Sequence, residues 1–158
     1  MIRKKILLLG DFGVGKTSLI RRYIDNTFDD RYLTTIGVKI SKKILEIRRI
    51  ECELIIWDIE GSTPIKKIPK SYMFGAHGAI FVADCNREAT IKDLAEHIET
   101  FLTVNPKAKY VIAYNKSDLL SAEQKADFPL EENAFLTSAK EGENVNRLFS
   151  TLAEEIIQ

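Results

Sequence analysis

The stretch Gly10-Asp11-Phe12-Gly13-Val14-Gly15-Lys16-Thr17 decides how this chain folds. It follows the apolar run 6–9, and it opens an amphipathic run whose apolar side carries Leu19, Ile20, Tyr23 and Ile24. This order predicts a strand, a tight loop and a helix. Glycines let successive backbone N–H groups turn inward around an anion at a helix N-terminus. In the spacing G-x-x-x-x-G-K-T, Lys16 can reach nucleotide phosphates and the Thr17 hydroxyl can bind Mg²⁺, so the loop predicts nucleotide binding without naming the nucleotide.

Composition restricts the class of protein. The 158 residues suffice for one domain with a substantial core, and we expect residues 1–158 to form a single domain. Lys plus Arg equals Asp plus Glu at 23 each, so no overall charge favours nucleic acid or an anionic membrane. Cys52 and Cys85 stand outside any C-x-x-C pair, which is typical of reduced thiols. We therefore expect a cytoplasmic protein without a nucleic-acid partner.

Five further stretches carry the pattern of β-strands. Runs 38–47 and 50–59 predict an antiparallel hairpin that turns at Arg48-Arg49. Short apolar runs predict buried strands at 79–83, 110–114 and 134–136. With the strand before the glycine-rich loop, they predict an α/β fold: a six-stranded, mostly parallel sheet with one antiparallel edge strand and helices on both faces.

Helical patterns separate these strands. The capping-box pattern Thr90-x-x-Asp93 predicts the start of a helix that closes near Asn105. Residues 121–127 predict one or two helical turns, and a last helix starts at about Glu143. Residues 25–35 are polar and predict a surface loop, while two prolines predict irregular structure at 63–75.

Polar clusters lie at the predicted carboxyl ends of the strands, where parallel sheets bind ligands. Asp118 could accept hydrogen bonds from the ring N–H and the exocyclic amine of guanine, and adenine offers no matching pair of donors. Lys116 could cover the base with its aliphatic stem, and the Ala139 N–H could donate to the guanine carbonyl oxygen. The stretch 115–118 taken alone is equally compatible with a plain turn.

Five motifs in order make the chain resemble a small GTPase of the Ras superfamily, closest to its Rab-like branch. They are the glycine-rich loop, Thr35-Ile36-Gly37, Asp58-x-x-Gly61, Asn115-Lys116-x-Asp118 and Ser138-Ala139-Lys140. The resemblance covers essentially the whole chain and implies the G-domain fold of P-loop NTPases. It also implies a signalling switch that binds GTP or GDP with Mg²⁺ and meets an effector, an exchange factor and an activating protein.

The resemblance assigns roles to matching positions. Phe28 would pack against the base, Tyr32 would cover the phosphates, Thr35 would bind Mg²⁺ and the γ phosphate, and Gly61 would donate its N–H to that phosphate. Mg²⁺ would be held by Thr17, Thr35 and, through water, Asp58, while Lys16, Thr35, Gly61 and the residue after Gly61 would serve catalysis. The nucleotide contacts implied are Asp11, Phe12, Gly13, Val14, Gly15, Lys16, Thr17, Ser18, Phe28, Tyr32, Thr35, Gly61, Asn115, Lys116, Asp118, Ser138, Ala139 and Lys140.

Three residues depart from the family pattern near the γ phosphate. The residue after Gly61 is normally a glutamine that orients the attacking water, and here it is Ser62, whose hydroxyl is too short for that task. Phe12 replaces a small residue, and Glu60 places a carboxylate beside an anion site. We expect slow hydrolysis; the alternative is a GTP-loaded interaction module with negligible hydrolysis. A P-loop kinase or ATPase would need an adenine pocket, against which Asp118 argues.

Two further differences concern partners and membranes. Ile40 stands where Rab-like proteins usually have an aromatic, so an effector-facing patch of Ile40, Trp57 and Tyr72 would be altered; alternatively, Trp57 is a core residue. The last cysteine is Cys85, so the given sequence offers no acceptor for the family's C-terminal lipid. We expect no direct membrane anchor in this chain, because either a tail was removed or the protein works without a membrane.

Overall fold

The computed structural model describes residues 1–28, 37–59 and 61–158. Six strands form one sheet in the order β2-β3-β1-β4-β5-β6, in which β2 pairs antiparallel with β3 and the other neighbours pair in parallel. The strands are β1 (Ile2–Leu9), β2 (Val38–Ile47), β3 (Ile50–Ile59), β4 (Gly78–Asp84), β5 (Lys109–Asn115) and β6 (Ala134–Leu136). The prediction of a mostly parallel sheet with one antiparallel edge strand is confirmed.

Helices cover both faces of the sheet, so β1 and β4 bury side chains on both sides. Ile6 and Leu8 pack with the helices on one face, α1 and α6, whereas Leu7 and Leu9 pack with α2, α3 and α4 on the other. The helices are α1 (Lys16–Asp25), α2 (Lys70–Met73), α3 (Glu88–Lys92), α4 (Leu94–Val104), α5 (Ala122–Asp127) and α6 (Val145–Ile157), with 3₁₀ turns at Ile65–Lys67 and Ser117–Leu119. Among the described residues, no helix is long and apolar enough to cross a bilayer.

Local sequence signals explain most element boundaries. The hairpin turns at Arg48 and Arg49, which take positive φ values of 51° and 66°, as a tight two-residue turn requires. Pro64 and Pro69 directly precede the 3₁₀ turn and α2, so the irregular structure predicted for 63–75 consists of two short helical pieces. The predicted loop 25–35 lies largely outside the described residues.

One predicted helix start is wrong. The helical segment predicted to start at Thr90 begins instead with α3 at Glu88, after Arg87, and Thr90 does not form its cap. The Thr90 hydroxyl instead accepts a hydrogen bond from the Asp84 N–H (3.0 Å) and donates to the Arg87 carbonyl (2.7 Å), so it ties the end of β4 to the first turn. The capping-box spacing was present, but this long-range use of the hydroxyl could not be read from it. The last helix begins at Val145, two residues after the expected position.

Candidate nucleotide-binding site

The glycine-rich loop between β1 and α1 is built to hold an anion. Gly13 and Gly15 take left-handed φ values of 79° and 102°, and Gly15 caps α1, so the backbone reaches the helix N-terminus in a conformation that few side chains permit. Lys16 is buried at 6% exposure, and its ammonium donates to the Gly10 carbonyl at 3.2 Å. Burial lowers the pKa of Lys16, while nearby Asp58 and Asp11 oppose this. A phosphate beside this ammonium would supply the negative charge that the buried lysine needs.

Thr17 and Asp58 bring two hard oxygen donors together at the start of α1 and the end of β3. The Thr17 hydroxyl donates to Asp58 Oδ2 at 2.6 Å, and Asp58 is only 2% exposed. Hydroxyl, carboxylate and water oxygens are the ligands Mg²⁺ prefers. The donor set therefore fits the predicted metal site, whose third residue, Thr35, lies outside the described residues.

Asn115 joins the predicted base site to the glycine-rich loop, residues 10–17, which is called the phosphate loop below because it is predicted to bind phosphate. Its side-chain amide donates to the Val14 carbonyl at 2.9 Å, and its Oδ1 accepts from the Thr137 hydroxyl at 3.1 Å. Asn115 is 2% exposed and Thr137 fully buried. A Cβ on Gly15 would lie 2.3 Å from Asn115 Nδ2, so glycine is required for this approach. Two motifs 101 residues apart thus form one site.

Asp118 is oriented by the motif that follows β6. It lies in the 3₁₀ turn after β5, and its Oδ1 accepts from the Ser138 hydroxyl at 2.8 Å. Arg22 of α1 fixes the same motif, because its guanidinium donates to the carbonyls of Ala139 (2.7 Å from Nε) and Lys140. The stretches 115–118 and 138–140 therefore meet, and the Ser138 hydroxyl and Arg22 fix their relative position.

Gly61 packs directly on the phosphate loop. A Cβ added there would lie 2.7 Å from the Phe12 nitrogen and 2.8 Å from the Asp11 carbonyl, so only glycine permits this contact. Ser62 is exposed, and the Phe12 side chain is half-exposed at 49%. Both side chains are therefore accessible to solvent. Glu60 lies outside the described residues.

Asp11 faces α4 from the phosphate loop. Its Oδ1 lies 3.4 Å from His97 Nε2, beside a cavity of about 330 Å³ that Gly61 and Ser62 also line. Burial, followed by a hydrogen bond and repulsion from Asp93, raises the pKa of Asp11 to about 7. Burial lowers the pKa of His97, which favours a neutral imidazole. The contact is therefore a polar one between a carboxyl that keeps its proton more readily than usual and an imidazole that loses its proton more readily.

The remaining predicted residues divide into two groups. Phe28 is described and packs, partly buried, against the core beneath α1 and α6, while Tyr32 and Thr35 lie outside the described residues. Sequence reasoning missed three groups that fix the site from distant positions: Arg22, Asp84 and Arg87. No local motif marks any of them, since each acts through a contact made only after folding.

Comparisons with known proteins agree with this geometry. The profile of the Ras family matches residues 5–158. The Ras-related protein Rab-1A of Dictyostelium discoideum is 35% identical over 163 residues, which cover 96% of this chain and 79% of that protein. The Ras-related protein SEC4 of Saccharomyces cerevisiae is 34% identical over 163 residues, covering 96% of this chain and 74% of that protein.

Proposed function

Because the chain belongs to the Ras family of small GTPases and is Rab-like, we propose that it is a switch that binds GTP and GDP with Mg²⁺ and hydrolyses GTP slowly. The observation that carries the nucleotide assignment is the buried hydrogen bond from Asn115 Nδ2 to the Val14 carbonyl, at 2.9 Å. It joins the motif suited to guanine to the loop suited to phosphate. A ligand that spans both must combine a base with a phosphate chain.

The residues divide the binding work. Lys16 and the loop N–H groups would hold the phosphates, and Asp118 would select guanine through two accepted hydrogen bonds. Thr17, Thr35 and, through water, Asp58 would hold Mg²⁺, which when bound offsets charge on the phosphate oxygens. Gly61, in contact with the phosphate loop, would place its N–H near the γ phosphate. Binding thus draws on groups that are buried or fixed by hydrogen bonds.

Hydrolysis needs a group that orients the attacking water, and this chain supplies a poor one. Ser62 follows Gly61 and is exposed, and its short hydroxyl replaces the longer amide of the usual glutamine. Phe12 adds a half-exposed benzyl group to the loop, and we infer that it would crowd both a water-positioning residue and an arginine from an activating protein. Slow intrinsic turnover with weak stimulation follows from these two substitutions.

Single-turnover hydrolysis of preloaded GTP tests the rate. We expect Ser62→Gln combined with Phe12→Gly to hydrolyse GTP at least about tenfold faster than the unchanged protein, since misplacing a reacting group can cost about 10²-fold. Ser62→Ala serves as the matched control and should leave the rate unchanged. An unchanged protein as fast as the double variant would refute slow turnover.

The nucleotide that copurifies with the protein tests the ligand. Denaturation should release guanine nucleotide, which chromatography identifies, and finding adenine nucleotide would overturn the base assignment. The second candidate, an interaction module that stays loaded with GTP, is favoured by the same Phe12 and Ser62. It predicts that mostly GTP is released and that no turnover is measurable over hours.

The surface beside the nucleotide site suits an effector that reads the switch. Ile40 is 47% exposed and pairs across the hairpin with Trp57, whose ring lies 6.1 Å from that of Tyr72. Trp57 is partly buried, with Lys5 Nζ 3.8 Å from its ring centre, so it belongs both to the core edge and to this surface. An exchange factor, an activating protein, a signalling role and a cytoplasmic location complete the proposal.

A further inference from the structure

A buried carboxylate at the end of β4 connects two parts of the nucleotide site. Asp84 is 4% exposed, and its Oδ2 accepts a hydrogen bond from Arg87 Nε at 3.1 Å. The same oxygen lies 3.3 Å from Lys116 Nζ, the lysine of the predicted base motif. Asp84 lies in none of the motifs that identify the site, yet it contacts a residue of one of them.

Arg87 extends this connection to the phosphate loop. While its Nε binds Asp84, its Nη2 donates to the Phe12 carbonyl at 2.7 Å. A guanidinium offers several N–H groups in a rigid plane, so one side chain can make both bonds in fixed geometry. The path therefore runs from the Phe12 backbone through Arg87 and Asp84 to Lys116.

Asp84 stays ionised in this position. Its burial alone would raise the pKa, but the Asn86 backbone N–H at 2.9 Å, Lys116 and Arg87 together lower it. A buried carboxylate with three partners has a well-defined position, because losing a cation leaves its charge unbalanced and losing the N–H leaves an oxygen without its hydrogen bond. It can thus anchor Arg87, whose own side chain is 46% exposed.

We infer that Arg87 is a positioning residue for nucleotide binding. Anchored on Asp84, it fixes the Phe12 carbonyl and thereby the backbone of the phosphate loop around Phe12. Because Asp84 binds Lys116 through the same oxygen, it holds the base motif and the phosphate loop in one arrangement. This inference rests on the proposed nucleotide binding. It adds a second connection between the two subsites, separate from the one through Asn115.

Dissociation of a fluorescent GDP analogue from Arg87→Ala provides the test. Loss of a charge-assisted hydrogen bond to the loop should speed dissociation about tenfold, the factor for the lower range of such bonds at a half-exposed site. The matched control is Lys92→Ala. It removes an exposed ion pair to Glu88, 3.6 Å away, within α3, the helix that Arg87 precedes, and should change the rate less than about twofold.

Two readouts separate positioning from general loosening of the fold. Arg87→Ala should weaken GDP more than GMP, because the loop holds the terminal phosphates, and millimolar guanidinium should restore part of the GDP affinity. Equal weakening of both nucleotides without rescue, at unchanged thermal stability, would overturn the inference. So would an unchanged dissociation rate. If the unchanged protein bound no guanine nucleotide, the proposed function would fail instead.

The combination with Asp84→Asn tests the anchor. If Arg87 acts through Asp84, adding Arg87→Ala to Asp84→Asn should change the dissociation rate less than about twofold, since the guanidinium has already lost its anchor. Fully multiplicative effects would contradict that path. Because Asp84 is buried, thermal unfolding must show that the single variant folds; if it does not, Asp84→Glu, which keeps the charge but moves it, takes its place.

Discussion

Thr137→Val tests the buried contact that joins the two halves of the candidate site. Thr137 is fully buried, and its hydroxyl donates to Asn115 Oδ1 at 3.1 Å. Valine has nearly the same shape but no donor, so the substitution leaves Asn115 Oδ1 buried without this hydrogen bond. The amide is then free to rotate away from the Val14 carbonyl, which its other end binds at 2.9 Å.

The size of the effect follows from the burial of Asn115, which is 2% exposed. A buried acceptor left without its donor costs about 1–3 kcal/mol. For a chain of this length, each 1 kcal/mol corresponds to about 2–4 °C in the melting temperature, so we expect a fall of about 2–12 °C. Thermal unfolding with GDP bound measures it, and GDP dissociation measured alongside should accelerate by about tenfold.

Thr137→Ser is the matched control. It keeps the hydroxyl and removes one methyl group, which costs about 1 kcal/mol of packing but leaves the Asn115 contact in place. It should therefore lower the melting temperature slightly and leave GDP dissociation unchanged. If Thr137→Val and Thr137→Ser released GDP equally slowly, the hydrogen bond to Asn115 would not be what holds the phosphate loop to the base motif.

Three further predictions concern other parts of the site. Asp118→Asn should weaken GDP about 100-fold or more and favour xanthosine diphosphate, whose carbonyl accepts where the guanine amine donates, as measured by competition binding. Gly61→Ala should lower affinity for GTP relative to GDP. Its Cβ would lie within 2.8 Å of the phosphate-loop backbone and so displace the N–H that is proposed to contact the γ phosphate, and unchanged relative affinities would contradict this role. The raised pKa of Asp11, about 7 against an ordinary 3.8, means that the folded protein holds a proton the unfolded chain has released, so stability from this group is lost as pH rises through that window. Asp11→Asn should flatten this part of the stability profile, and a parallel profile in GDP-loaded thermal unfolding would refute the shift.

The sequence predicted what local patterns encode. Alternating and continuous apolar runs placed β2, β3 and β6 at the residues where they occur, because strand periodicity directly reports which faces are buried. It failed at Thr90, where a capping pattern was present but the hydroxyl was taken by the end of β4. The pattern was compatible with two uses of one side chain, and only the packed chain decides between them.

Site residues were predictable wherever a motif fixes them and unpredictable wherever they act from a distance. Lys16, Thr17 and Asn115 could be named because each stands at a fixed place in a short sequence motif, although the contacts of Thr17 and Asn115 are also distant in the chain. Arg22 and Arg87 could not, since their partners lie 117 and 75 residues along the chain. An exposed arginine in a helix or its first turn is usually solvated, and nothing local distinguishes these two from the others.

Binding and hydrolysis depend on groups that the structure holds in different ways. The loop is fixed by Asn115, Arg87 and the close packing of Gly61, all of which contact its backbone and none of which involves the side chains of Phe12 or Ser62. If the loop backbone provides the phosphate contacts, as proposed, the half-exposed Phe12 side chain leaves them intact, and its effect falls on the orientation of water. We expect a loop held this way to keep GTP bound while hydrolysing it slowly, so affinity should respond to Asn115 and Arg87, and the hydrolysis rate to Phe12 and Ser62.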